Sequence, residues 1–245
     1  MRGAVRLVLD LVLPPRCAAC DNAVDVHGQL CADCFGRTQF ITVPFCVCCG
    51  VPFASVEQGG ADGQCPSCVA RRPLFREARA ALRYDDQARR LILPLKHGDR
   101  VELAAVLAPM MARFGAAMLQ RADVLVAVPL HRRRLFQRKY NQAAVLAFAI
   151  GRLAGRKVQP DALIRTRGTA PLEEKSPEER RREVEGSIRV RPSRQAMVAG
   201  KTVLLVDDVM TSGATANACA AALLDAGAAA VDVLLAARVP DPRLN

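Results

Sequence analysis

The sequence predicts an α/β fold, a mostly parallel sheet flanked by helices, preceded by a small cysteine-rich module. Three observations carry this expectation. Apolar runs of strand length alternate with helix-like stretches from residue 79 to residue 239. Two of the runs, "DVLVAVP" (123–129) and "VLLVDD" (203–208), are apolar at successive positions, as strands buried on both faces of a parallel sheet are. Nine of the ten cysteines lie within residues 17–68, so the front of the chain obeys a different rule from the rest.

The first residues, "MRGAVRLVLDLVLPPRC", are apolar but interrupted by Arg6 and Asp10. The run lacks a small-residue cleavage site before Cys17 and is too short to span a bilayer. A short helix packed on the protein body is expected there, with no membrane span and a cytoplasmic, reducing location in which disulfides do not persist.

Four Cys-x-x-Cys knuckles follow: Cys17/Cys20, Cys31/Cys34, Cys46/Cys49 and Cys65/Cys68. Two intervening residues let both thiolates reach one tetrahedral Zn2+ from a tight turn. The second set has 15 residues between its knuckles and the first only ten, "DNAVDVHGQL", a hairpin with Gly28 near its tip. Sequential pairing closes the shorter loops at lower entropic cost than interleaved pairing. Two structural zinc ions are expected, since a module this small buries too little apolar surface to stand without them. Cys48, inside the third knuckle, and Cys219, on a later helix, read as a bystander thiol and a small buried hydrophobe.

In the larger region, "RAALRY" (79–84) reads as a strand and "DDQARRLILPLKHGD" (85–99) as a helix. "RVELAAVLAPMMARFGAAML" (100–119) reads as a second helix. The strand 123–129 runs into the basic loop "LHRRRLFQRKYNQ" (130–142), and "AAVLAFAIGRLAG" (143–155) is helical. "ALIRTR" (162–167) reads as a strand and "GTAPLEEK" (168–175) as a polar stretch. Ser176 is placed to cap a helix over 177–186, with Pro177 at its first position and Glu179 three residues after the cap. After the strand ending in Asp207 and Asp208 comes the small-residue loop Thr211–Thr215. The helix "ATANACAAALLDAGA" (214–228) and the last strand "AVDVLLAARV" (230–239) complete the pattern.

Strand, small-residue loop and helix form an anion-binding design, in which exposed N–H groups and a helix N-terminus favour a phosphate. Two adjacent carboxylates ask in addition for hydroxyls or a metal, and a sugar phosphate offers both halves. A mononucleotide-binding NTPase is excluded, because no Gly-x4-Gly-Lys-Ser/Thr loop occurs. Charge sharpens the ligand. Residues 1–72 carry six basic and six acidic side chains and residues 73–245 carry 29 and 18, so the whole net charge of +11 lies in the larger region. Ligands of open α/β sheets bind beyond the C-terminal ends of the strands, where the basic loop, with Arg132–Arg134, Arg138 and Lys139, is expected to face the acidic pair. 5-Phosphoribosyl 1-pyrophosphate carries vicinal hydroxyls, a phosphate and a second, more highly charged group. Aromatic residues make up only 4% of the chain and Trp is absent, leaving little material for stacking on bases.

The order of four knuckles, "LILPLKHGD", "VAVPLHRRR", "QRKYNQA" and "DDVMTSGAT" resembles the ComF family of competence-related, amidophosphoribosyltransferase-like proteins. Residues 203–215 resemble the fingerprint of type I phosphoribosyltransferases. The resemblance implies a helix and double zinc ribbon over residues 1–72 and a phosphoribosyltransferase domain over residues 73–245. It implies that Asp207 and Asp208 bind the ribose hydroxyls and that Thr211, Ser212, Gly213, Ala214 and Thr215 bind the 5-phosphate. Lys96 and Arg138 would lie near the pyrophosphate, with Mg2+ bridging pyrophosphate and ribose oxygens. It further implies pentosyl transfer to an unnamed acceptor and a role in DNA uptake and natural transformation. A non-catalytic adaptor for single-stranded DNA or competence proteins, retaining the sugar-phosphate pocket, is the alternative. Three positions depart from the family pattern: Lys139 replaces a glycine, Leu172 a glutamine and Glu183 an asparagine.

Overall fold

A computed structural model describes residues 14–97, 100–167 and 177–244. The helix expected at the start of the chain, the polar stretch with Leu172, and the Ser176 cap fall wholly or almost wholly outside these residues. Five strands form the central sheet: β1 (Ala78–Arg83), β2 (Val124–Ala127), β3 (Lys157–Gln159), β6 (Thr202–Met210) and β7 (Ala230–Arg238). Their spatial order is β1-β7-β6-β2-β3, and every neighbouring pair is parallel. Val203–Val206 and Val233–Ala237 are fully buried or nearly so, which accounts for their lack of apolar/polar alternation.

The helices bear the sheet. α3 (Asp86–His97) follows β1; α4 (Ala104–Phe114) and α7 (Gln142–Ala154) pack on each other and across the sheet. α10 (Ala214–Asp225) lies on β6 and β7. The single long helix expected over 100–119 is instead a 3-10 turn, α4 and a short α5 (Ala116–Arg121). The break falls at Gly115, where a Cβ would stand 2.6 Å from Leu234 Cδ1 of β7. Close approach to the sheet, which a sequence pattern does not display, decides that break.

Two other elements depart from expectation. The basic loop contains a seven-residue helix, α6 (Arg132–Arg138), whose N-cap His131 accepts from Arg133 N–H through Nδ1 at 3.3 Å. The strand expected at 162–167 does not join the sheet. As β4 (Leu163–Arg165) it pairs antiparallel with β5 (Ile188–Val190). β5 and α8 (Pro177–Val184) pack against α10.

The cysteine-rich module carries two short helices, α1 (Ala32–Gly36) and α2 (Pro66–Ala70). It is continuous with the body: Ile41 N–H donates to Ala81 O at 3.0 Å and Arg83 N–H to Gln39 O at 2.8 Å. Residues 39–41 thus cover the open edge of β1, which would otherwise offer unpaired backbone groups. One hydrophobic core runs from Cys46, Val51 and Phe75 through the sheet to Leu223.

Candidate functional site

The chain runs from β2 to β3 on one side, while β6 enters on the other, so the switch point of the sheet lies between β2 and β6. The crevice beyond the C-terminal ends of strands at such a point is where ligands bind in open α/β sheets. Ala127 is in register with Val206, and Val128 N–H donates to Val206 O at 3.0 Å. The end of β2 is therefore level with the acid pair on β6.

Asp207 is half-buried and Asp208 is buried. Each uses one oxygen on its own strand: Asp207 Oδ1 accepts from Asp208 N–H at 2.9 Å, and Asp208 Oδ1 from Val209 N–H at 2.6 Å. Asp208 Oδ2 is buried without a hydrogen bond. Lys96 Nζ stands 3.3 Å from that oxygen, an ion pair without hydrogen-bond geometry. Burial, and then the neighbouring Asp208 charge, push Asp207 up to about 8. Adjacent carboxylates at the mouth of a crevice, one with a buried oxygen that lacks a hydrogen bond and the other held protonated to about 8, are a functional signature, because a merely structural pair would be hydrogen-bonded.

Past Met210 the chain turns through Thr211 and Ser212, both exposed, to Gly213 at φ 80°. This left-handed conformation suits glycine, and α10 then starts without a side-chain cap. Its first N–H groups stay open for an anion. The structure thus brings Asp207, Asp208, Lys96 and the loop Thr211–Thr215 to one end of the sheet.

The basic segment is built differently. Arg138 Nη1 donates to Gln142 Oε1 at 3.3 Å, and among the described residues it makes no ion pair with either acid. Lys139 takes φ 65°, the left-handed conformation for which a glycine is the natural choice. Asn141 then fixes the return: its Oδ1 caps α7 from Ala143 N–H at 3.0 Å, while Nδ2 donates to Val128 O at 3.0 Å. Tyr140 Oη donates to Leu95 O, tying this segment to the turn that carries Lys96. A cavity of about 520 Å³ opens beside it, lined by His131, Arg132, Arg165, Arg189 and Arg191.

Two residues of the site went unread in the sequence. Arg165 Nε and Nη2 are buried without hydrogen-bond partners, and burial lowers its pKa while the Asp207 charge counters this. Arg238, 7% exposed, touches the start of the loop Thr211–Thr215. Its signal was an arginine closing an otherwise apolar strand, "VLLAAR".

The cysteines form two tetrads, Cys17/Cys20/Cys31/Cys34 and Cys46/Cys49/Cys65/Cys68, with the four Sγ atoms of each within 4.8 Å of one another. Cys20–Cys31 and Cys49–Cys65 sulfurs are 3.6 and 3.7 Å apart. A tetrahedron with Zn–S bonds of about 2.3 Å has edges of about 3.8 Å, so both tetrads fit a structural zinc ion. Knuckle N–H groups support the sulfurs, with Cys31 N–H donating to Cys17 Sγ at 3.2 Å and Cys65 N–H to Cys46 Sγ at 3.3 Å. Cys48 and Cys219 stay outside both tetrads and are buried.

Residues 8–71 match the double zinc ribbon domain and residues 148–245 the phosphoribosyl transferase domain. The chain is 30% identical over 230 residues to the DNA utilization protein YhgH of Escherichia coli (strain K12), covering 91% of this chain and 96% of that one. The chain belongs to the ComF family. The competence protein ComFC of Bacillus subtilis (strain 168) is 26% identical over 209 residues, covering 82% of this chain and 80% of that one. Among solved structures, the allosteric regulatory enzyme of purine biosynthesis superposes with a TM-score of 0.36 at 24% identity, covering 53% of this ComF chain and 24% of that one.

Proposed function

We propose that this ComF protein binds 5-phosphoribosyl 1-pyrophosphate in the crevice between β2 and β6. The single observation that carries this reading is the buried, hydrogen-bond-free Asp208 Oδ2 beside Asp207, three residues before an uncapped loop and helix N-terminus. An orphaned carboxylate oxygen asks for a hydroxyl donor, and the open N–H groups after it ask for a phosphate. Asp207 and Asp208 take the ribose 2- and 3-hydroxyls, and Thr211–Thr215 hold the 5-phosphate. The pyrophosphate lies toward the basic side, where Arg138 and the cavity lined by His131, Arg132 and Arg165 supply positive charge. Lys96 neutralises Asp208 at the join. Mg2+ fits the hard oxygen donors gathered here, and when bound with the ligand it supplies charge neutralisation at the pyrophosphate. Transfer of the ribosyl group to an acceptor needs mainly positioning and charge complementarity from these side chains. The relatives' names, DNA utilization and competence, support a role in the handling of incoming DNA.

Calorimetric titration of 5-phosphoribosyl 1-pyrophosphate with and without Mg2+ tests the reading, together with pyrophosphate release against candidate acceptors. The wild-type protein is expected to bind, and Asp207→Asn/Asp208→Asn to lose binding while keeping its fold. An unchanged dissociation constant in the double variant would place the ligand elsewhere.

One observation favours the adaptor reading as well. On α6, Phe136 is 89% exposed between Arg132, Arg133 and Lys139. Basic side chains around an exposed ring suit a single strand, with phosphates on the arginines and a base on the ring. Fluorescence anisotropy of a labelled single strand should weaken several-fold in Phe136→Ala; equal binding by the variant removes this support.

A further inference from the structure

The second zinc ribbon and the phosphate loop share one buried side chain. Arg238, the last residue of β7, donates through Nε to Cys49 O at 3.2 Å, and its Nη2 lies 3.8 Å from Cys49 Sγ. Its Nη1 donates to the carbonyls of Met210 at 3.1 Å, Val239 at 2.7 Å and Thr211. One guanidinium therefore spans a ligand of the Cys46/Cys49/Cys65/Cys68 centre and the two residues that lead β6 into the loop.

Peptide planarity gives this contact a direction. In a trans peptide the C=O and the following N–H point opposite ways. Drawing the Met210 and Thr211 carbonyls onto Arg238 turns the N–H groups of Thr211 and Ser212 away from it. Neither N–H makes a hydrogen bond to the described residues. Met210 O also accepts from Val239 N–H at 3.0 Å, so the sheet shares in orienting the Thr211 N–H. Among the described residues Thr211 O accepts from Arg238 alone. The exposed Thr211 and Ser212 side chains and Gly213 add little to the shape of the loop.

The ribbon holds its own place against the body through separate contacts. Ala78 N–H donates to Cys48 O at 2.8 Å. A Cβ on Gly50 would lie 2.7 Å from Ala78 O, so ribbon and β1 are in backbone contact. Just past the ribbon, Leu74 N–H donates to Asn217 Oδ1 at 2.7 Å, one turn into α10.

We propose that the second zinc ribbon is a working part of the sugar-phosphate site, with Arg238 as the positioning residue that aims the N–H groups of Thr211 and Ser212 at the 5-phosphate. This rests on the ligand reading above. It assigns the ribbon a role beyond stabilising the chain: its metal-fixed backbone anchors one side of Arg238, and the loop takes its shape from the other.

Two ligands separate positioning from general stability. Ribose 5-phosphate engages the acids and the loop, whereas pyrophosphate with Mg2+ engages only the basic side. In the full-length, zinc-loaded protein, Arg238→Gln and Arg238→Lys are expected to weaken ribose 5-phosphate at least tenfold by calorimetry. Pyrophosphate affinity should stay within twofold, and elemental analysis should still find two zinc ions per chain. Arg243→Ala removes a contact to Ser67 Oγ (2.6 Å) at the same junction but leaves the loop carbonyls alone, and should change neither affinity. Chelating zinc from the reduced wild-type protein should reproduce the selective loss, and it decides the matter if variants at 238 do not fold. Normal ribose 5-phosphate affinity in Arg238→Gln, or in wild type stripped of zinc, overturns the proposal alone. Equal losses for both ligands reduce Arg238 to a structural residue and overturn it too. Failure of wild type to bind ribose 5-phosphate at all overturns the site reading together with it.

Discussion

The two ends of the parallel sheet each hold buried acid, and they treat it in opposite ways. At the N-terminal end, Asp232 of β7 is fully buried and fully partnered. Arg76 donates to both its oxygens at 2.8 and 2.6 Å, and Arg121 Nε donates to Oδ2 at 2.8 Å. Arg121 also reaches Glu77, which pairs with Arg79 at 2.8 Å, making a five-residue network. Burial works against the Asp232 charge, but the hydrogen bonds from Arg76 and Arg121 outweigh it and hold the carboxyl below its ordinary value. At the C-terminal end, Asp207 is pushed up to about 8 by burial and by Asp208, and Asp208 Oδ2 and two nitrogens of Arg165 lack hydrogen bonds. One end spends its polar groups on the fold. The other leaves some of them without hydrogen bonds, and the same sheet tolerates both because they stand at opposite ends.

The sharpest way to break this contrast is to remove the partnered acid. Asp232→Ala removes a buried carboxylate from two arginines that themselves reach solvent, and losing its charge-assisted hydrogen bonds should cost about 1.5–3 kcal/mol. Denaturant unfolding should show that loss, with sugar-phosphate binding intact wherever the variant is folded. A loss below about 1 kcal/mol would mean that solvent reaches Arg76 and Arg121 well enough to hydrate them.

At the other end, the same kind of change should have the opposite sign. Asp207→Asn removes a carboxyl that the folded state disfavours when charged, so unfolding should become harder by roughly 1 kcal/mol, the usual gain from relaxing a functional site. Ligand affinity measured above about pH 8, where Asp207 is ionised, should fall ten- to a hundredfold, since a charge-assisted hydrogen bond is worth roughly 1.5–3 kcal/mol. Reduced stability in Asp207→Asn would show that this carboxylate supports the fold after all.

A pH series distinguishes the two acids without mutation. Folded Asp207 keeps its proton up to about 8, while in the unfolded chain an aspartate releases it near 4 (about 3.9). Stability of the ligand-free protein should therefore rise as pH falls from about 8 toward 4. Asp232 has a depressed folded value, so its contribution is present above about 4 and is lost as pH falls through that lower value. The first slope should vanish in Asp207→Asn, and the second should persist there. A first slope that survives in Asp207→Asn belongs to another group.

The smallest effect concerns backbone strain near the ligand end. Lys139 is held at φ 65°, and a side chain in that region costs about 1–2 kcal/mol. Part of this returns as unfolded-state entropy when glycine is introduced, so Lys139→Gly should stabilise by about 0.5–1 kcal/mol in thermal unfolding. A destabilised Lys139→Gly would show that the Lys139 side chain makes contacts worth more than the strain.

Much of this molecule was legible residue by residue. The two zinc tetrads follow from Cys-x-x-Cys spacing, because a two-residue turn sets the separation of its own thiolates whatever surrounds it. The acid pair, the Thr211–Thr215 loop and α10 are contiguous in the chain, so strand, turn and helix propensities suffice to place them together. Even the strain at Lys139 follows from a glycine expected in its place. What the tertiary structure decided is of another kind. Arg238 meets Cys49 across 189 residues of sequence, and Arg76 meets Asp232 across 156. No local pattern encodes partners so far apart, and only the packing of β7 between β1 and β6 brings them together. The break at Gly115 and the separation of β4 and β5 from the main sheet came from the same source. Leu234 needed room against one, and the other pairs antiparallel with β5 outside the main sheet. Sequence determined the chemical groups and their local presentation; the long-range contacts of the folded sheet determined which of them were neutralised and which were left free to act.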